Sequence, residues 1–136
     1  MTEEIGFEVR ISQPYEIALE RVIEALMVEG FGVLTQIDVK ATLKEKLDVE
    51  FRPYTILGAC NPKLAHRALS QDGVTGLMLP CNVTVEEDSQ GSSVVRLVNP
   101  EAMLAIGDLE GDPVLLGVAQ EARMRLERVA EALLSI

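Results

Sequence analysis

The sequence predicts an α+β domain, in which helices pack on one face of an antiparallel sheet and a long helix ends the chain. Two observations lead to this class. Several short stretches have the alternating or β-branched composition of strands and are separated by helix-start signals. Two of those strands are joined by a turn sequence typical of a hairpin. The chain of 136 residues has the length of one domain with its own core, so we predict a single domain over residues 1–136.

The first half of the chain predicts three strands, each followed by a helix. Alternating apolar and polar residues, or a run of β-branched ones, mark the strands. A capping residue, or a proline suited to the first turn, marks the start of each helix. The predicted strands cover residues 7–11, 31–37 and 54–59, and the predicted helices cover residues 14–29, 39–47 and 62–70.

Two of these helices begin after a residue that can cap them. Asp38 precedes the second helix, and we expect Val39, Leu43 and Leu47 to form its inner face. Asn61, which is followed by a proline, precedes the third helix. Both side chains can accept a hydrogen bond from the first turn, and they therefore indicate where each helix starts.

The second half of the chain predicts a hairpin and then an irregular connection. One long strand, interrupted near Pro80, is joined to its partner by a polar turn. In the irregular stretch, a short apolar piece can form either a short helix or a sixth strand. The ranges are 77–86 and 92–98 for the strands, 87–91 for the turn, 99–112 for the irregular stretch and 102–106 for its apolar piece.

The last predicted element is a helix that begins at Asp112-Pro113. Its apolar residues alternate between spacings of four and three, which gives a stripe of period 3.5. Because only three heptads fit, we favour a helix packed across a sheet or another helix over a coiled coil, and a subunit interface is the alternative. The stripe consists of Leu115, Ala119, Ala122, Leu126, Val129, Leu133 and Ile136.

Charge and hydropathy exclude several classes of function. The formal net charge is −10, and acidic residues interrupt the densest group of lysines. Nucleic acids and anionic membrane surfaces bind proteins through clustered Lys and Arg, so we expect neither as a partner. No apolar stretch reaches the roughly 18 residues of a membrane-spanning helix, and the N-terminus lacks the pattern of a secretion signal. We therefore expect a cytoplasmic protein.

The two cysteines are the strongest candidates for chemistry. Cys60 and Cys81 are each followed by an asparagine and lie close to a proline. Cys60 directly precedes the third helix, where backbone N–H groups and the macrodipole favour an anion, so a reactive thiol there would have a lowered pKa. Lys63, in the first turn, would add to this effect. Most free cysteines are instead small, inert hydrophobic residues, and we favour that interpretation of the two thiols over the reactive one.

His66 is the only histidine and the remaining candidate for catalysis or metal binding. With Cys60 and Cys81 it supplies three soft ligands, whereas a structural zinc site needs four, and no C-x-x-C or H-x3-H pattern is present. We therefore predict no metal site, and the sequence identifies no cofactor. An enzyme that uses His66 as the base for Cys60 would need the two side chains within hydrogen-bonding reach.

Several segments together carry a family resemblance: Gly30–Thr35, Ile37–Val39, Thr42–Leu47, Phe51–Tyr54, Leu57–Pro62, Ala65–His66 and Leu79–Val83. They closely resemble the family named domain of unknown function 302, over about residues 30–136. The resemblance implies an α+β domain similar to one copy of the TATA-binding-protein-like fold and found as a homodimer. It implies no activity, because none is established for that family and a fold alone does not imply a function.

Three functions are compatible with these observations. The first is a homodimeric domain that binds a small molecule, or senses or carries a thiol modification, at Cys60, Asn61, Lys63, His66 and Cys81. The second is a dimer with a purely structural or interaction role, joined through the final helix or a sheet edge. The third is an enzyme that uses a cysteine and a histidine. We favour the first over the second and a non-enzymatic role over catalysis.

Overall fold

The computed structural model describes residues 4–135 and contains one antiparallel sheet. Its strands are β1 (Gly6–Ile11), β2 (Gly32–Asp38), β3 (Tyr54–Cys60), β4 (Cys81–Glu87) and β5 (Ser93–Val98). Its α-helices are α1 (Tyr15–Val28), α2 (Val39–Leu47), α3 (Pro62–Gln71), α4 (Pro100–Met103) and α5 (Pro113–Leu134). The strand order is β1-β5-β4-β3-β2, and every neighbouring pair is antiparallel. The predicted α+β class, with a long C-terminal helix, is confirmed.

The main core lies on one face of the sheet, beneath α1 and α5. Alternate residues of the strands face these helices, and the register aligns them in rows such as Val9, Val95 and Val85. Full burial of each large aliphatic side chain contributes roughly 1.5–3 kcal/mol. The helices contribute Ala18, Val22, Leu26, Leu126, Val129 and Leu133 to this core.

A second apolar cluster joins α3 to the first half of α5. Leu64 and Ala68 of α3 pack there together with Val118 and Ala122 of α5, and Leu104 closes the cluster after α4. Because α3 follows β3 directly, this cluster also fixes the position of the strand end that carries the first cysteine.

The final helix follows the predicted apolar stripe. The stripe residues from Leu115 to Leu133 are buried, whereas Ile136 lies outside the described residues. The side chain of Asp112 caps the helix by accepting hydrogen bonds from backbone N–H groups of its first turn. As we predicted, the stripe packs within the chain, against the sheet, α1 and α3.

The strand predicted over 77–86 begins later than expected. β4 starts at Cys81, and Gly73–Met78 form a 3-10 helix instead. Asp72 caps this short helix, because its carboxylate accepts a hydrogen bond from the N–H of Val74. Pro80 has no N–H to donate to a neighbouring strand, so the ladder can start only after it.

The irregular connection contains helix, and the described sheet has no sixth strand. In place of the single element predicted over 102–106, the chain forms α4, which begins at Pro100, and a 3-10 turn at Gly107–Leu109. The helical alternative is therefore the correct one, but α4 begins earlier than predicted. The reason is that Asn99 caps it and the proline is suited to its first turn.

The predicted inner face of α2 is wrong. Asp38 caps this helix as expected, since its carboxylate accepts a hydrogen bond from the N–H of Ala41 at 3.0 Å. However, no residue of α2 is buried, and Leu47 is 65% exposed. The helix follows β2, which lies at the edge of the sheet, so the chain offers it little surface to cover.

Candidate functional site

Both cysteines line one cavity at the end of the sheet. Cys60 is the last residue of β3 and Cys81 is the first residue of β4, and the register pairs Cys81 with Ala59. The cavity has a volume of about 30 Å³, which is room for one or two water molecules. Its lining is almost entirely apolar and includes Phe31, Leu64, Leu79, Met103, Leu104 and Val118.

Asn61 holds the helical side of this cavity in place. Its side-chain oxygen accepts a hydrogen bond from the N–H of Leu64 at 3.3 Å, which is the predicted cap of α3. The proline that follows occupies the first helical turn, as expected. Cys60 therefore does lie directly before a helix N-terminus, and Asn61 lines the cavity beside it.

The reactive interpretation of Cys60 requires a lowered thiol pKa, and the surroundings of Cys60 do not provide it. Burial raises the pKa of Cys60, and no charged neighbour offsets it. Burial also raises the pKa of Cys81 to about 11, and the nearby Cys60 thiol adds to that rise through charge repulsion. An apolar environment therefore disfavours the thiolate form of both cysteines.

Lys63 and His66 lie outside the cavity. Both side chains are exposed on α3, and neither contributes to the lining. His66 follows Leu64 by two residues, which is about 200° around a helix, so it lies on the side opposite the buried face. Lys63 instead lines a separate cavity of about 280 Å³ together with Gly30 and Arg125.

The structure therefore brings together three of the five predicted site residues. Cys60, Asn61 and Cys81 share the cavity, whereas the other two predicted residues do not reach it. Within residues 4–135, no three His, Cys, Asp or Glu side chains are grouped in a way that could hold a metal ion. Among the described helices, none is long and apolar enough to cross a membrane.

A second polar cluster, which the sequence does not indicate, lies on the opposite face of the sheet. The carboxylate of Glu86 is buried and accepts hydrogen bonds from Arg52 and Arg96. Burial alone would raise the pKa of Glu86, but the hydrogen bonds and charges of the two arginines outweigh it and lower that pKa. The three residues come from separate segments and meet only through strand pairing, so no local pattern reveals them.

Comparison with known proteins identifies relatives over nearly the whole chain. The family model of the domain of unknown function DUF302 matches residues 7–133. The crystal structure of an uncharacterized conserved DUF302 protein from Bacillus stearothermophilus is similar, with 30% sequence identity and a TM-score of 0.85. The similarity covers 96% of this chain and 99% of that chain. No curated protein matches the sequence.

Proposed function

The chain belongs to the DUF302 family of domains of unknown function, and from that premise we propose that it is a homodimeric domain that binds a small, uncharged, apolar ligand. The binding site is the cavity lined by Cys60, Asn61 and Cys81. The observation that carries the proposal is that two thiols from neighbouring strands share one cavity whose remaining walls are apolar.

The raised pKa values favour binding over thiol chemistry. The thiolate is the nucleophilic form of cysteine, and burial disfavours it at both positions. A protonated thiol is instead a small, polarizable, weakly polar contact, which suits an uncharged apolar ligand. Thiol-based sensing therefore has less support from the geometry than ligand binding.

The size of the cavity limits the ligand. A volume of about 30 Å³ accepts a very small molecule without any rearrangement. A larger ligand would have to displace part of the wall. The part best suited to move is α4, because it has only four residues and contributes Met103, whose side chain adapts readily.

Xenon tests this proposal, because dry apolar cavities bind it. We expect saturable methyl NMR shifts at Leu64 and Leu104 of the full chain as xenon pressure rises. Ala122→Leu, or Ala68→Val if the first variant folds poorly, fills the cavity and should abolish the shifts. Ala132→Leu, on the exposed side of α5, should leave them unchanged. Shifts that do not saturate, or that survive cavity filling, would overturn the proposal.

A second candidate is self-association without any ligand, and the large apolar side chains that the described chain leaves exposed favour it. Among them are Val28 at 83% and Leu77 at 80% exposure. Under this candidate, filling the cavity would leave the assembly of the protein unchanged.

A further inference from the structure

We infer that an open cavity on the face of the sheet opposite the helices binds a small zwitterion, namely an α-amino acid with an apolar side chain, with its carboxylate on Arg96 and its ammonium group on Glu8. Both residues line this cavity. The cavity is separate from the one that contains the two cysteines, so the inference goes beyond the proposed function and does not depend on it.

The cavity has the size of a metabolite site. Its volume is about 440 Å³, which lies within the range of roughly 300–1,000 Å³ that small-molecule sites occupy. It spans β1, β5, β4 and the start of β3. Ile5, which is 85% exposed, lines the cavity together with Val98 and Tyr54. These side chains offer an apolar surface that the apolar part of a ligand can cover.

Two side chains of opposite charge lie next to each other in the cavity. The register places Glu8 of β1 opposite Arg96 of β5, and Arg96 opposite Thr84 of β4. The Nη2 atom of Arg96 lies 3.9 Å from Oε1 of Glu8, which is beyond hydrogen-bonding distance, and both side chains are nearly half exposed. Exposed ion pairs of this kind contribute little to stability, so a ligand can replace the interaction at little cost.

The buried carboxylate of Glu86 holds Arg96 in position. Nη1 of Arg96 donates a hydrogen bond to Glu86, and Nε of Arg52 donates a second one to the same carboxylate. Arg52 lies in turn over the ring of Phe51, whose centroid is 4.5 Å from the guanidinium carbon. The guanidinium of Arg96 is therefore oriented before a ligand binds, and its planar set of donors suits a carboxylate.

An unsatisfied hydrogen-bonding group lies beside Arg96. Thr84 lines the cavity, and its hydroxyl is buried with no hydrogen-bond partner among the described residues. A buried polar group without a partner costs free energy. Asn82, two residues earlier on β4, adds an exposed amide to the lining. The cavity therefore favours a ligand that forms hydrogen bonds as well as apolar contacts.

The lining favours a ligand that has both charges. A ligand with only a carboxylate would be repelled by Glu8, and a ligand with only an ammonium group would be repelled by Arg96. A zwitterion satisfies both side chains, and because its net charge is zero, the net charge of −10 on the chain does not repel it. In an α-amino acid a single carbon atom joins the two groups, which suits protein atoms only 3.9 Å apart.

NMR titration of the ¹⁵N-labelled full chain with L-leucine tests the inference. We expect saturable shifts at the backbone amides of Gly6 and Val98 and at the side-chain amide of Asn82. Three analogues each lack one feature: N-acetyl-L-leucine lacks the ammonium group, L-leucinamide the carboxylate and glycine the apolar side chain. Each should bind roughly tenfold more weakly or worse. The absence of saturable shifts, or equal affinity for any of the analogues, would overturn the inference.

Substitution of the two charged residues provides a second test. Glu8→Gln keeps the size of an exposed side chain, so it should fold, bind L-leucine roughly tenfold more weakly and lose its preference over N-acetyl-L-leucine. Arg96→Lys keeps a positive charge for Glu86 but loses the planar set of donors, and it should also weaken binding. Glu24→Gln, at an exposed position of α1 outside the cavity, is the matched control and should bind normally. Normal binding by Glu8→Gln, or equal weakening in the control, would overturn the inference.

Discussion

Cys60 shows how a residue's three-dimensional surroundings can outweigh its sequence neighbours. Its position before a helix N-terminus favours a thiolate, but the N–H of Leu64 is already occupied by the side chain of Asn61. The apolar walls of the cavity then penalise any charge on the sulfur. Both thiols are therefore neutral, and Cys81 is more deeply buried than Cys60.

The pH dependence of stability should report the burial of Cys81. Burial raises its pKa from 9.0 to about 11, so between these values the folded chain retains a proton that the unfolded chain has released. Stability should therefore fall as pH rises through this interval, by roughly 2–3 kcal/mol from this thiol. Cys81→Ala should remove that part of the slope in urea unfolding curves at about pH 8 and about pH 11.

Cys60→Ala serves as the control for this measurement. This thiol is only half-buried, so its removal should change the slope less than the removal of Cys81 does. Equal slopes for the natural chain and for Cys81→Ala would show that the Cys81 thiol is not desolvated as described.

At the scale of elements, caps decide where helices begin. Asp38, Asn61, Asn99 and Asp112 each accept a hydrogen bond from the helix that follows. The C-terminal end of α1 is equally well defined, because Gly30 adopts a φ of 86° and the adjoining N–H groups bond back to the last turn. Such signals depend on neighbours within a few residues, which is why they are readable in the sequence.

Removal of the α3 cap should destabilise the protein moderately. Asn61→Ala loses the hydrogen bond to the N–H of Leu64, and we expect a decrease of about 1 kcal/mol in the free energy of unfolding, measured in urea. Asn61→Asp keeps an acceptor and adds a negative charge at the helix N-terminus, so it should be as stable as the natural chain. An equal loss in both variants would show that the side chain acts through packing and not as a cap.

At the scale of the whole molecule, the chain buries its apolar surface unevenly. Two clusters occupy the helical face of the sheet and the junction of α3 with α5, whereas residues 34–50, which form most of β2 and all of α2, include no buried residue. A net charge of −10 opposes unspecific association of two copies.

The proposed homodimer should unfold in a concentration-dependent manner. Association stabilises the folded state by mass action, so the Tm from circular dichroism should rise over each tenfold increase in protein concentration. A constant Tm for the natural chain, across a range in which sedimentation shows a change from monomer to dimer, would contradict this coupling.

The sequence by itself determined the α+β class, the type of nearly every element, the caps of three α-helices and the family. These features depend on side-chain periodicity and on hydrogen bonds between near neighbours, both of which are visible in a linear chain. Two boundaries were predicted wrongly. β4 starts later than predicted, after a proline, and α4 starts earlier than predicted, directly after its capping residue.

Only the tertiary structure decided which candidate residues meet and what their surroundings are. It grouped Cys60 and Cys81 within walls supplied by segments as distant as Phe31 and Val118. It also left His66 in solvent and α2 without cover. The burial of a side chain, and therefore its pKa, depends on contacts with remote parts of the chain, which no local sequence pattern reveals.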